Sequence, residues 1–534
     1  MAQSTTPADF GANIQTTDQP PLVPGTAGLT SKVVRGSLWT LTGQGLAVSA
    51  SLISTPFVIR LLGAESYGLL ALVSLVIGYL AFSDLGMGLA STRFGSEAYA
   101  RGEPLGESKI IWTSLLIAVV PALIMVLMLN VAALPLVRYI LRVPSYLDQT
   151  AILALRIASI GFFAKIVSSV LNTSLIVRLR MDLVTTINTS TFLIQAVLVP
   201  LVLFAGGGLL SAISVVTAVS ISVAVLFALS SIWFLPSMLR PRVDTRLIKP
   251  LLSFGGAAVL SLIAVLVLVN GEKILLTRYA SVTTLAYYSV AFTLAMVLTQ
   301  VPGALTQSLL PAFSGLQAVS NDGSLRQLYI RALRGTLLWV APATVLMCVI
   351  ARPFLTIWAG PDFGRESTVP FYILSAGLVV NIMAFVPYTL LISLGRTGLI
   401  AKIHYIEVVP YLILAALLTR SFGAIGAAAA WSFRAAVTST VFFMIARRFA
   451  GLRIPLLPIT PWAFLISISA LVLPVLILGV VSHSQVLRIS VALGSLAAYA
   501  ILVWSKVLIA EERAWVLALV RLHRLDKWRP HDAR

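Results

Sequence analysis

Long apolar stretches alternate with short charged ones along nearly the whole chain. The first, Gly36–Ile59, is followed at once by Tyr67–Ala90, with only Arg60-Leu-Leu-Gly-Ala-Glu-Ser66 between them. At about 1.5 Å per residue, each run is long enough to cross a hydrocarbon layer about 30 Å thick, so the pair predicts a membrane hairpin. Further runs recur at Ile110–Leu134, Ile152–Leu175, Leu183–Ala205 and Leu209–Leu235. A basic segment, Arg240-Pro-Arg-Val-Asp-Thr-Arg246 with Lys249, separates these six from the next six. Those are Leu251–Leu276, Thr284–Leu310, Thr336–Trp358, Val369–Leu394, Ile400–Leu418 and Ala424–Ala446. Two more, Trp462–Val481 and Val486–Ile509, precede a basic tail, giving fourteen predicted helices of an all-α, polytopic membrane protein.

Composition agrees with the pattern. Hydrophobic residues make up 58% of the 534 and charged residues 11%, with a mean hydropathy of +0.97. A soluble domain carries about 25% charged residues, so water is not the main solvent of this chain. The net charge of +19 would suit nucleic acid, but its distribution argues otherwise. With the N-terminus inside, 26 of the 38 Lys and Arg fall on one side, 9 on the other, and three (Arg156, Lys165, Arg434) within the membrane. That bias places both termini in the cytoplasm and the chain in the cell's inner membrane, with no nucleic-acid partner. Cys348 is the single cysteine, so no intrachain disulfide forms.

The chain is expected to divide into a disordered cytoplasmic tail over 1–31, which lacks the features of a signal peptide, and a six-helix bundle over 32–236. A basic linker over 237–250 leads to a second six-helix bundle over 251–450. Two extra helices over 451–510 and a basic amphipathic tail over 511–534, suited to lie on anionic membrane lipids, complete it. The two bundles are internally related. Sliding the chain by 218 residues sets Phe204, Gly208, Ala212, Ser214, Ala218 and Val219 on identical residues Phe422, Gly426, Ala430, Ser432, Ala436 and Val437. Shared hydropathy does not explain that cluster. Each half begins on the same side, so the repeats are parallel about an axis along the membrane normal, with a substrate site expected between them.

Candidate chemistry is sparse. No Ser-His-Asp set, phosphate-cradling glycine loop or metal-spaced His/Cys cluster occurs, so neither catalysis nor a metal or other cofactor is expected. Intramembrane charges are the main lead, because each is expensive unless it meets water or a partner. Arg434 lies near the midplane of its run, where its repeat mate is Val216; the mate of Lys165 is Met383, and Arg156 lies near the outer interface, placed to snorkel. Together they suggest a cationic cavity for a phosphate or pyrophosphate group, which Arg can grip bidentately. Four residues are candidates for a coupling ion. Asp84 sits towards the cytoplasmic end of run two, Glu272 is a neighbour able to pair with Lys273, and His404 and Glu407 share a helical face. Asn172, Asn188, Gln195, Asn270, Gln300, Gln307 and Asn381 add polarity that can line a path or tie helices together. Pro56, Pro121, Pro200, Pro302, Pro342 and Pro387 mark expected kinks.

Several stretches are similar in order and spacing to the Wzx-type polysaccharide flippases of the superfamily that also holds lipid II flippases and multidrug extruders. They begin with Arg60-Leu-Leu-Gly63, Tyr67-Gly68 and Ser83-Asp-Leu-Gly-Met-Gly88. Gly271-Glu-Lys-Ile-Leu-Leu276, Val301-Pro-Gly-Ala-Leu305, Ile357-Trp-Ala-Gly360 and Phe422-Gly-Ala-Ile-Gly-Ala-Ala428 continue it to about residue 450. The resemblance implies two six-helix bundles facing across a cationic cavity. It also implies the flipping of an undecaprenyl-pyrophosphate-linked oligosaccharide by alternating access, driven by a proton or sodium gradient. Exopolysaccharide, capsule or O-antigen assembly would be served, with a polysaccharide polymerase and chain-length machinery as partners. The alternatives are a multidrug extruder, which would favour buried acids over Arg434 and Lys165, and a lipid II flippase. A glycan polymerase or ligase would carry larger external loops.

Overall fold

In hydrocarbon the backbone must satisfy its own hydrogen bonds, which leaves the helix as the solution for runs this apolar. The computed structural model describes residues 26–318, 322–449, 469–470, 474, 485–507 and 513, and these are helical almost throughout, with no strand. Of the expected tails over 1–31 and 511–534 only 26–31 and 513 are described, and of the thirteenth run only 469–470 and 474. Among the described residues nine segments are long and apolar enough to cross a membrane. Two of them fold back on themselves, so the number of crossings exceeds the number of segments, and the count of fourteen is not established.

The first half comprises α1 (Thr26–Tyr79), α2 (Met87–Ala100), α3 (Pro104–Pro135), α4 (Asp148–Leu171), α5 (Thr173–Val177), α6 (Met181–Phe204) and α7 (Leu209–Phe234). The helix of α1 starts within the polar stretch read as a tail and bends back at Gly63, whose φ of 76° lies in the left-handed region that glycine tolerates. This is the expected hairpin. In the second half lie α8 (Ile248–Tyr279), α9 (Val282–Met296), α10 (Gln300–Ala318), α11 (Asp322–Ala359), α12 (Pro361–Glu366), α13 (Thr368–Met383), α14 (Phe385–Ser393) and α15 (Thr397–Phe449). Gly423 reverses α15 as Gly63 reverses α1. Beyond them, α16 (Gln485–Leu502) packs on α11.

Two helix breaks of the second half fall where proline withholds a donor. α13 gives way to α14 at Ala384, just before Pro387, and a short tight turn at Val297–Thr299 precedes Pro302. Pro56, Pro121, Pro200 and Pro342 are carried inside α1, α3, α6 and α11.

The apolar core shows how the halves meet. The near face is taken as the membrane side where α1 begins and the far face as the opposite one. Towards the far face both halves share one core, running from Ile59, Leu69 and Leu155 to Tyr288, Phe371 and Trp431. Towards the near face the core separates. One part holds Met87, Ile111, Phe162 and Phe227 of the first half, and another holds Phe313, Tyr329, Leu390 and Phe442 of the second. The start of α8 is the exception, since its Leu251 packs with the first half. Far-face contacts reinforce the shared core. The Trp358 indole N–H donates to the carbonyl of Leu52 at 2.8 Å, and Arg60 donates to the carbonyl of Ile357.

At the near face the halves touch through a pair of glycines. Gly86 has a φ of 71°, and a Cβ on Gly86 would collide with the backbone of Gly255, while one on Gly255 would collide with the carbonyl of Leu85. Next to this contact the Arg93 guanidinium stacks 4.6 Å from the Phe254 ring centroid.

Candidate functional site

Each half encloses a cavity at the level where its helices break. The first, about 420 Å³, is lined by α1, α4 and α7 together with Asp84, and includes Gly78, Ile213, Val216 and Ser220. The second, about 540 Å³, is lined chiefly by the broken helices of the second half and by α15. It includes Met296, Trp431, Arg434 and Thr438, each 218 residues beyond a residue of the first cavity. The two cavities are therefore repeat mates. Lys165, Ser169, Val216 and Ser220 also wall a further chamber of about 290 Å³ between α4, α6 and α7, so it adjoins the first cavity.

Arg434 lines the second cavity and Lys165 the first. Arg434 is buried and already engaged. Its Nη1 is 3.9 Å from Glu407 Oε2, and its guanidinium lies 5.3 Å from the Trp431 ring and 5.5 Å from Tyr411. Glu407 also accepts a 2.5 Å hydrogen bond from the Thr438 hydroxyl, and His404 lines the cavity beside them. The predicted helical face of His404 and Glu407 thus meets Arg434. Both ring nitrogens of His404 are buried without a hydrogen-bond partner.

Lys165 differs. It is exposed to both first-half cavities and has no hydrogen-bond or ion-pair partner among the described residues. Asp84 lines the same cavity, with Oδ1 accepting the Gly86 amide at 2.7 Å. Arg156 is exposed and lines none of the three cavities.

Glu272 corrects one expectation. It does not pair with Lys273, because successive helix residues point about 100° apart. Glu272 is fully buried and accepts from the hydroxyls of Tyr288 at 3.0 Å and Tyr411 at 2.5 Å. Lys273 instead donates to Asn270 Oδ1 at 2.7 Å and stands 4.2 Å from the Phe292 ring. Tyr411 connects Glu272 to the Arg434 cluster. Sequence reading passed over Tyr411 and Trp431, although Tyr411 is four residues beyond Glu407 and Trp431 three before Arg434, on shared helical faces. Among the described residues, no group of three His, Cys, Asp or Glu could hold a metal ion.

Solved structures superpose on this fold of two broken-helix halves with repeat-related cavities. The inward-closed lipid II flippase MurJ aligns with a TM-score of 0.67 at 13% identity, covering 91% of this chain and 100% of its own. An inward-facing multidrug resistance transporter of the MATE family, in the MOP superfamily, aligns with a TM-score of 0.66 at 14% identity, covering 75% and 94%. Residues 57–365 match the model of a family described as polysaccharide biosynthesis protein, and the chain belongs to that family. A candidate O-antigen transporter of Shigella flexneri is 22% identical over 405 residues, covering 75% of this chain and 94% of that protein. The uncharacterised membrane protein EpsK of Bacillus subtilis is 25% identical over 353 residues, covering 65% and 69%.

Proposed function

We propose that this protein is a flippase. It carries undecaprenyl-pyrophosphate-linked oligosaccharide repeat units from the cytoplasmic to the outer leaflet by alternating access, for exopolysaccharide, capsule or O-antigen assembly. The carrying observation is the divided core. The halves share one core towards the far face and have separate cores towards the near face, where α2 and the start of α8 touch, and the first-half cavity holds the unpartnered cation Lys165. We take the near face as cytoplasmic, following the Lys and Arg bias. The anionic head group docks at Lys165, while the aliphatic chain stays in the bilayer. Rocking of the halves about the shared core would then expose the head group on the other side.

Coupling is assigned to the second half, where Glu272, His404 and Glu407 gather around Tyr411 and Arg434 and can hold a proton or sodium ion. Asp84, beside Lys165, is the alternative place for that ion. A polymerase with its chain-length machinery would take up the product outside.

The test is glycan export in cells carrying Lys165→Ala at wild-type membrane abundance. Export should fail while lipid-linked precursor accumulates; normal export removes Lys165 from the route. A drug extruder predicts instead that deletion sensitises cells to organic cations and leaves the glycan intact.

A further inference from the structure

The basic segment that joins the two halves is fixed to α3 by its backbone and leaves its charges outside. The Ser108 hydroxyl donates to the carbonyl of Ser237 and the Trp112 indole N–H to that of Met238, both at 3.1 Å, and the Asp244 amide donates to the Thr113 hydroxyl at 3.0 Å. Leu235 and Met238 are buried in the near-face core of the first half. Past these anchors, Arg240, Arg242, Arg246 and Lys249 are exposed, and none of their side chains makes a hydrogen bond or ion pair among the described residues. Asp244, the one acid of the segment, is already engaged: its carboxylate accepts the Arg246 amide at 3.0 Å and lies 3.9 Å from Lys109 Nζ.

Two apolar side chains share this surface. Leu239 is 66% exposed and Val243 46%, and they flank the arginines in Leu239-Arg240-Pro-Arg-Val243. A neighbouring residue gives the depth. Trp233 stands in the last turn of α7, six residues before Leu239, and is 82% exposed. A lipid-facing indole favours the membrane–water interface, because its ring is apolar and its N–H polar. The segment that follows Trp233 therefore lies at the level of the lipid head groups.

At that depth four unmatched cations meet phosphate, which arginine grips bidentately and lysine as a point charge. Leu239 and Val243 gain nothing from water but can enter the acyl boundary beside the cations, as in segments that lie on anionic lipid. A soluble acidic partner would have to reach these two side chains through the head groups. We infer that Leu239–Lys249 is a binding site for anionic phospholipids of the near leaflet. Arg240, Arg242, Arg246 and Lys249 take the phosphates, and Leu239 and Val243 lie at the acyl boundary. None of the six lines either repeat-related cavity, so the site is distinct from any route through the protein. Lys249 is two residues before Leu251, which packs on the first half, so the bound lipid lies beside the near-face contact of the halves.

The test is native mass spectrometry of the full-length protein released from nanodiscs that hold phosphatidylglycerol, phosphatidylcholine and undecaprenyl pyrophosphate. A cation beside an anionic surface is worth about fivefold in lipid partition, so wild type should retain phosphatidylglycerol over phosphatidylcholine by about fivefold or more. Arg240→Gln with Arg242→Gln should lower that retention about tenfold at an unchanged unfolding temperature, since no protein partner is lost. Arg447→Gln with Arg448→Gln, a charge-matched pair exposed at the end of α15 on the same face, should leave it unchanged. Leu239→Ser with Val243→Ser should weaken it, and raising the salt should shrink the wild-type preference. Equal retention of the two phospholipids by wild type overturns the inference and leaves the surface to an acidic protein. Equal loss in the two arginine pairs also overturns it, because the total charge of the face would then be enough. Retention of undecaprenyl pyrophosphate in place of phosphatidylglycerol overturns it too, and makes the segment a loading point for the carried lipid.

Discussion

The two repeat-related cavities teach that a charge in a membrane is defined by its company. At matched positions the first half has Ile213, Val216 and Ser220 where the second has Trp431, Arg434 and Thr438. The second half has its cation together with a carboxylate and two aromatic rings, and Glu407 stands where the first half has Thr189. In the first half the cation on α4 came without an acid at pairing distance and with a set of amides instead. Arg434 thus meets a carboxylate within its own half, while Lys165 meets none among the described residues.

The largest effect that could break this contrast is on stability. Removing one member of a buried pair leaves the other uncompensated, at a cost of about 3–5 kcal/mol. Side chains of Arg434 and Glu407 are only 9% and 11% exposed. Arg434→Met or Glu407→Leu alone should therefore lower membrane abundance and the unfolding temperature in detergent, and the double variant should recover most of the loss. A stable, abundant Arg434→Met protein that fails to export glycan would show that Arg434 meets the substrate, and the contrast would fall.

The same contrast shows how far the residues alone could be read. The membrane class, the hairpin at Gly63 and the parallel repeat were legible because each is a local or periodic property of the chain. His404 and Glu407 were legible as one helical face for the same reason. Partners were not. Glu272 and Tyr411 are 139 residues apart and meet because α8 packs along α15, a register that hydropathy does not encode. Nearness in sequence suggested Lys273 for Glu272, yet a helix turns neighbours away from each other. Arg434 drew attention as the deepest charge, and only its neighbours show that the charge is already matched.

Next in size is the effect of the free cation. A hydrogen bond to a charged group is worth about 1.5–3 kcal/mol, or roughly ten- to a hundredfold in affinity. Lys165→Met, which copies the second half's Met383, should cost that much in lipid binding with no loss of unfolding temperature, since no protein partner is abandoned. Lys165→Arg should restore much of it. Instability of Lys165→Met would reveal a hidden structural partner and make the two cavities alike.

The near-face glycine contact supplies a smaller effect on the balance of states. Gly255→Val places a side chain against the carbonyl of Leu85, an overpacking that costs about 1–3 kcal/mol where the halves touch. Only the closed near face pays this cost. With Cys348 replaced by Ser, a cysteine at Ser169, which lines the first-half cavity, should react severalfold faster with a membrane-impermeant maleimide in the Gly255→Val protein. Unchanged labelling would mean that the Gly86–Gly255 contact does not gate access.

The smallest effect is expected at Arg156. Its long side chain is exposed on α4 and lines neither cavity, so the aliphatic stem can follow the helix while the head group reaches the interface. Substitutions at exposed positions without partners stay within about 0.5 kcal/mol. Arg156→Ala should leave export, abundance and unfolding temperature at wild-type values. This is the control that gives the other comparisons meaning, because Arg156 and Lys165 are cations on the same helix, nine residues apart. If both were needed for export, net positive charge on α4 would be the working property. If only Lys165 is needed, the cavity is what turns a charge into a site.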